Sequence, residues 1–218
     1  MPAPIAFFDL DGTLTDSRLG ITRCIRYALE RLPHPCPPDD ALGTFISPSL
    51  RTGFATLLGT SDSQRIERAL ALYRERYVAS GLFENEVYAG VPRMLEDLRR
   101  PVARAFVVTS KPGLYAQRVV RHFGLERHFA RVYGPDLGGR FDDKAELVAH
   151  VLETEALDPA TAVMIGDRAA DIVAAKRNRV RAIGVLWGFG SERELRDAGA
   201  DAVCGEPRAL PDCLAALR

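Results

Sequence analysis

Ile5-Ala6-Phe7-Phe8-Asp9-Leu10-Asp11-Gly12-Thr13 decides how the rest of the chain reads. Four apolar residues form a run of buried-strand length, and the run stops at two acids and a glycine. Asp-Gly alone signals a hairpin turn, which needs a second β-branched strand directly after it. The chain instead continues into an amphipathic stretch from about Ser17 to Leu32, with Ile21, Ile25, Ala28, Leu29 and Leu32 on one helical face. Asp9 and Asp11 therefore stand at the carboxyl end of a buried strand.

Downstream, Pro33 to Pro38 stops that helix. Short helices are expected over about Asp39–Phe45 and Leu50–Leu58, and Ser61-x-x-Gln64 reads as a capping box for a third clear helix. After about Val87 the pattern changes. Ala105–Val108, Ala162–Ile165 and Ala182–Val185 are short continuous apolar runs, separated by amphipathic helices at about 91–99, 113–123, 143–153, 169–177 and 192–198. Such runs are strands buried on both faces, and their alternation with helices predicts a parallel sheet with right-handed crossovers. The expected fold is α/β, a doubly wound (Rossmann-like) parallel sheet with an inserted all-helical cap. Residues 1–14 and 85–218 form the core, residues 15–84 form the cap, and the crossings near Thr15 and Glu84 are the expected hinges.

Composition narrows the function. The 218 residues carry 47% apolar and 27% charged side chains, ordinary for a globular chain. Acids and bases balance at 29 each, so there is no electrostatic footprint for nucleic acid or an anionic membrane. No apolar run approaches the roughly 20 residues a membrane helix needs. The opening residues lack a basic n-region, so no secretory signal is expected. Cys24, Cys36, Cys204 and Cys213 show no metal-ligand spacing, which fits a reducing cytoplasm. His34, His122, His128 and His150 are scattered and read as surface or core residues. The only lysines among 29 basic residues are Lys111, Lys144 and Lys176.

Ligands of open parallel sheets bind at the carboxyl ends of the strands. Those ends carry Asp9 and Asp11, then Thr109, Ser110 and Lys111, then Gly166-Asp167-Arg168 with Asp171, while Lys144 begins a helix between them. Carboxylates with no His or Cys among them suit a hard cation that takes oxygen ligands, most simply Mg²⁺. One acid can then act as nucleophile, a second as proton donor and acceptor, and a hydroxyl and a lysine can hold phosphoryl oxygens. Singly, these residues also read as a turn, a helix cap or a solvated first-turn lysine. Their joint placement at strand ends favours chemistry.

These residues carry a resemblance. Phe8-Asp9-Leu10-Asp11-Gly12-Thr13-Leu14 resembles the DxDGT signature of the haloacid dehalogenase-like phosphohydrolase superfamily. Val107-Val108-Thr109-Ser110-Lys111 resembles its second motif, Lys144 its third, and Met164-Ile165-Gly166-Asp167-Arg168-x-x-Asp171 its fourth. Tyr88-x-Gly90-Val91-Pro92 and Gly188-Phe189-Gly190 are similar to the phosphoglycolate phosphatase-like and 5′-nucleotidase-like subgroup with a helical cap after the first motif. The resemblance implies Asp9 as nucleophile and Mg²⁺ ligand, and Asp11 as general acid/base with its backbone carbonyl on the metal. It implies Asp167 as the third protein ligand, Thr109 and Ser110 on the phosphoryl group, and Lys144 as the charge clamp. Asp171 would support the set through a water or by orienting Lys144.

The implied activity is Mg²⁺-dependent hydrolysis of a small phosphate monoester, of phosphoglycolate or nucleoside monophosphate type, by a monomer or homodimer. Asp11 argues against a dehalogenase, which has no leaving-group oxygen to protonate. A cap without lysine argues against a Schiff-base phosphonate hydrolase. A sugar phosphomutase and a phosphoaspartate signalling switch are the alternatives, the latter needing no large insertion after strand one. Ile46–Leu50, Pro135–Gly139 and Asn178-Arg179 depart from the subgroup's pattern. Ser47-Pro48-Ser49 and Arg51 are the cap positions where substrate choice is expected, an arginine being a natural fork for a carboxylate or a second phosphate. Trp187–Gly190 reads as a turn after a strand, with the single Trp187 a candidate cover for the site edge.

Overall fold

The computed structural model describes residues 3–45 and 50–217; the cap-loop positions Ser47, Pro48 and Ser49 lie outside the described residues. Two compact units are present, one of Met1–Asp16 with Val87–Arg218, the other of Ser17–Glu86. Strands come in chain order as β1 (Ile5–Phe8), β2 (Thr15–Asp16), β3 (Glu86–Val87), β4 (Arg104–Val108), β5 (Arg131–Tyr133), β6 (Ala162–Gly166), β7 (Arg181–Val185) and β8 (Ala202–Cys204). Six of them make one sheet in the order β5-β4-β1-β6-β7-β8, every pair parallel. β2 and β3 pair with each other where the chain passes between the units.

β1 is central because both of its faces are apolar. All four of its residues are buried, in register with β4 on one side (Ile5 opposite Arg104) and β6 on the other (Ile5 opposite Ala162). The second unit carries α1 (Arg18–Arg31), α2 (Asp39–Leu42), α3 (Leu50–Leu58) and α4 (Ser63–Arg76). The first unit carries α5 (Val91–Leu98), α6 (Gly113–His122), α7 (Lys144–Thr154), α8 (Ala169–Arg177), α9 (Glu192–Asp197) and α10 (Leu210–Ala216). On one sheet face Ile5, Phe7, Phe106 and Met164 share a core with Leu147, Val148 and Val151 of α7 and Ile172 and Ala175 of α8. Phe7 meets Phe106 edge-on at 5.9 Å. Full burial of each such side chain contributes about 1.5–3 kcal/mol.

The chain runs outward from β1 through β4 to β5, then returns to the far side of β1 for β6, β7 and β8. The strand order reverses beside β1, and an open sheet forms its ligand crevice at such a reversal. Asp9, the residue after β1, sits there.

In the second unit, Ile21, Ile25 and Leu29 of α1 and Ile66, Leu70 and Tyr73 of α4 are buried. Tyr73 stacks on Tyr77 at 5.4 Å and meets Phe54 of α3 edge-on at 6.1 Å. α4 does not begin at a Ser61 capping box. Its N-cap is Asp62, whose carboxylate accepts from Gln64 N–H at 2.9 Å, while Thr60 Oγ1 accepts from Asp62 N–H. A carboxylate two residues before Gln64 reaches that amide directly and displaces the serine as cap. The apolar pattern does not predict β5 and β8. Each is a three-residue edge strand with one buried face at most, too short to show a period. Among the described residues no helix is long and apolar enough to cross a membrane.

Candidate active site

The loop after β1 turns immediately. The N–H groups of Thr13, Leu14 and Thr15 all converge on the Leu10 carbonyl, and Gly12 N–H donates to Thr15 O at 2.8 Å. Gly12 has φ +87°, and a Cβ there would run into the Asp167 carboxylate, so only glycine fits both the backbone and the neighbour. This turn presents Asp9 and Asp11 from one strand end.

α7 brings Lys144. Asp143 caps that helix, its Oδ1 accepting from Ala145 N–H at 2.7 Å, which makes Lys144 the first helical residue. Lys144 is buried, and its Nζ lies 2.9 Å from Asp9 Oδ1 and in a shorter contact with Asp171 Oδ1. It is therefore no solvated first-turn residue. Burial opposes its charge, but Asp171 and Asp9 outweigh burial and hold the ammonium well above the ordinary lysine range. Asp171 uses its other oxygen to accept from Arg168 N–H at 3.0 Å, so one carboxylate closes the first turn of α8 and orients Lys144.

Asp167 comes directly after β6 and is fully buried. Its Oδ1 accepts from Thr13 Oγ1 at 3.1 Å and its Oδ2 from Phe189 N–H at 2.8 Å. Carboxylate oxygens of Asp9, Asp167 and Asp171 lie within 4.8 Å of one another. Three buried carboxylates face one ammonium there, and that imbalance is felt. Burial, then the Asp171 and Asp9 charges, push the Asp167 carboxyl up to about 8. Burial also raises Asp171, to about 6, against the pull of Lys144. Asp9 Oδ1 is buried, and the Lys144 ammonium 2.9 Å away is shared with Asp171. An all-oxygen donor set with surplus negative charge fits a divalent cation such as Mg²⁺.

Asp11 stands apart from this trio. Both of its oxygens lie 2.6 Å from Lys111 Nζ, whose side chain is 4% exposed, so the pair is shielded rather than a surface bridge. Thr109 is buried, and its Oγ1 accepts from Lys111 N–H at 3.2 Å; Ser110 is exposed. Neither hydroxyl caps α6, whose N-cap is Pro112. Arg51 is exposed on α3 and paired with Glu67 of α4. The motif pattern alone gives no role to Lys111 or Thr13. The scarcity of lysine is the available signal, since two of the three are buried here and the third, Lys176, pairs with Asp201 at 2.5 Å. Trp187 does more than form a turn: its indole N–H donates to the Thr13 carbonyl at 2.9 Å.

A parallel sheet with a carboxylate at its central strand end, a second acid two residues on, a buried lysine and an acidic trio defines a class. The chain belongs to the haloacid dehalogenase-like hydrolase family, whose profile matches residues 6–185. Within that family it is a phosphatase. It is 44% identical over 211 residues to a 5′-nucleotidase of Pseudomonas aeruginosa, covering 97% of this chain and 95% of that protein. A predicted phosphatase from Clostridium acetobutylicum has the same fold, with a TM-score of 0.93 and 33% identity over 99% of this chain and all of that one. The chain is also 36% identical over 186 residues to the tyrosine-protein kinase PtkA of Mycobacterium tuberculosis, covering 85% of itself and 63% of that longer protein.

Proposed function

We propose that this phosphatase hydrolyses a small phosphate monoester, of the nucleoside monophosphate type, through a phosphoryl group carried on Asp9. The observation that carries the reading is the convergence of Asp9, Asp167, Asp171 and Lys144 at the strand-order reversal. The nucleotide preference rests on the similarity to the Pseudomonas 5′-nucleotidase along nearly the whole length of both chains.

An oxygen of the Asp9 carboxylate attacks phosphorus, the bond from phosphorus to the ester oxygen breaks, and Asp11 gives that leaving oxygen its proton. Water then attacks the phosphorus of the aspartyl phosphate. Asp11 takes the water's proton, inorganic phosphate departs and the Asp9 carboxylate is restored. Asp11 is paired to Lys111 in the geometry described, so proton donation requires Asp11 to exchange that partner. Thr109 and Ser110 hold phosphoryl oxygens, and Lys144 offsets charge on Asp9 and on the phosphoryl group. Asp9, Asp167 and the backbone carbonyl of Asp11 would hold Mg²⁺, which supplies positive charge to set against the substrate's phosphate. Arg51 is proposed to favour substrates carrying a further anionic group.

The test is a phosphate-release screen over nucleoside monophosphates, phosphoglycolate, sugar phosphates and pyrophosphate, with and without Mg²⁺, on the wild type and Asp9→Asn. Turnover that needs both Mg²⁺ and Asp9 is expected. Unchanged kcat in folded Asp9→Asn protein would refute the covalent route, because an amide is not a nucleophile toward phosphorus.

A further inference from the structure

Trp187, Gly188 and Phe189 come after β7, and no step of the proposed reaction uses them. Their contacts nevertheless run to the acidic trio and to the loop after β1. Phe189 N–H donates to Asp167 Oδ2 at 2.8 Å. Trp187 Nε1–H donates to the carbonyl of Thr13 at 2.9 Å, and the hydroxyl of the same Thr13 donates to Asp167 Oδ1 at 3.1 Å. Between the two donors, Gly188 lies so close to the Gly12 carbonyl and the Asp167 Cβ that any side chain there would overlap both. Three loops, after β1, β6 and β7, thus close one hydrogen-bonded ring around a single carboxylate.

A plain turn after β7 has no need of this ring. The Trp187 bond spans 174 residues of sequence and the Thr13 bond 154. Each satisfies a group of the loop after β1 or fixes an oxygen of Asp167. With both oxygens tied to donors, the Asp167 carboxylate cannot rotate, and its remaining lone pairs point in directions set by Thr13 and Phe189. Groups that hold a ligating carboxylate in this way govern how well it binds its ion, and their removal typically lowers metal affinity by about 10–100-fold.

Resting on the reading of Asp167 as a ligand of a divalent cation, we infer that Trp187 is a positioning residue of the metal centre. It pins Thr13, and Thr13 with the Phe189 amide locks Asp167 in the orientation that binds the ion. The segment from Trp187 to Phe189 is then a further chain contribution to the centre, beyond those of the loops after β1 and β6 and of α7 and α8.

Isothermal titration of MgCl₂ into metal-free protein tests this, with wild type, Trp187→Phe, Thr13→Val and Asp167→Asn compared. Trp187→Phe keeps an aromatic ring and removes the N–H; Thr13→Val keeps the shape and removes the hydroxyl. Each is expected to weaken Mg²⁺ binding about 10-fold, the low end of the range for such changes behind a ligand. Metal-free melting temperatures should fall by only about 2–10 °C, the cost of one lost hydrogen bond to a buried acceptor, and activity at saturating Mg²⁺ should recover. Asp167→Asn reports on the underlying reading and is expected to lose binding outright. Wild-type Mg²⁺ affinity in Trp187→Phe and Thr13→Val, alongside lost binding in Asp167→Asn, would overturn the positioning role and leave the metal assignment standing. Wild-type binding in Asp167→Asn, or no binding by the wild type, would overturn both. A drop in metal-free melting temperature with unchanged affinity would make Trp187 a structural residue only, which also refutes the inference. Should Trp187→Phe not fold, Thr13→Val decides by the same titration.

Discussion

Lys144→Met removes one positive charge and little volume. The Lys144 side chain is 6% exposed and that of Asp171 2%, so the substitution strands a buried carboxylate instead of releasing it to water. Breaking a buried pair from one side costs about 3–5 kcal/mol. In a chain of this size each kcal/mol moves the melting temperature by about 2–4 °C, so a fall of about 6–20 °C is expected at pH 8 without metal. The direction of the pH dependence comes from the carboxyls. Asp171, at about 6, and Asp167, at about 8, are raised above the ordinary aspartate value of 3.8. A carboxyl raised by folding stabilises the folded state below its unfolded pKa, and that contribution is lost as pH climbs through the folded value. Without Lys144 the Asp171 value rises further, since the lysine was pulling it down. The gap between wild type and variant should therefore narrow at pH 5, where a protonated Asp171 no longer needs a cation. Differential scanning calorimetry at both pH values reads this directly. An equal gap at both, or a loss under about 1 kcal/mol, the scale of an exposed pair, would refute the buried-pair account.

Metal-free wild type should lose stability as pH rises from about 5 to 8, through the raised Asp171 and Asp167 values, and Mg²⁺ should flatten that slope; a metal-free melting temperature that rises over this window would contradict the assignment. Asp11→Asn should keep Mg²⁺ binding, because its proposed metal contact is the backbone carbonyl, yet lose turnover on alkyl phosphates far more than on activated aryl phosphates. Equal losses on both would remove Asp11 as the leaving-group acid. Arg51→Ala should cost at most about 1 kcal/mol, since its pair with Glu67 is solvent-exposed, while kcat/KM falls about 10-fold on substrates with a second anionic group and holds on neutral ones. An unchanged substrate profile would end the case for Arg51 in selectivity.

β1, β4, β6 and β7 are readable in the sequence because each contains a continuous apolar run of four or more residues, buried for most of its length. Two edge strands are not, since three residues beginning with an exposed arginine, as in Arg131–Tyr133, look like any loop. Asp9, Asp167, Asp171 and Lys144 are legible as a set because strand ends and a helix start must share one sheet edge. The Lys111–Asp11 pair and the Thr13–Asp167 bond are not legible, for they join residues 100 and 154 positions apart and depend on side-chain angles no spacing encodes. Ser61 loses the cap of α4 to Asp62 for a local reason: two adjacent cap-competent residues compete, and the one whose oxygen reaches the free amide wins.

The central place of β1 also shapes how the protein comes into being. β1 leads directly into Asp9, yet its sheet neighbours are Arg104–Val108 and Ala162–Gly166. During synthesis at about 5–20 residues per second, β1 waits about 8–30 s after it emerges before β6 can pair with it. The unit Ser17–Glu86 has no such delay, because its contacts lie within one contiguous stretch that is finished before β4 is made. Vectorial folding therefore runs from the inside of the sequence outward: the helical insert closes first, while Ile5-Ala6-Phe7-Phe8 stays an unpaired apolar strand. Of the strands in the sheet it waits longest for its partners, which makes it the one most open to misassociation in the nascent chain.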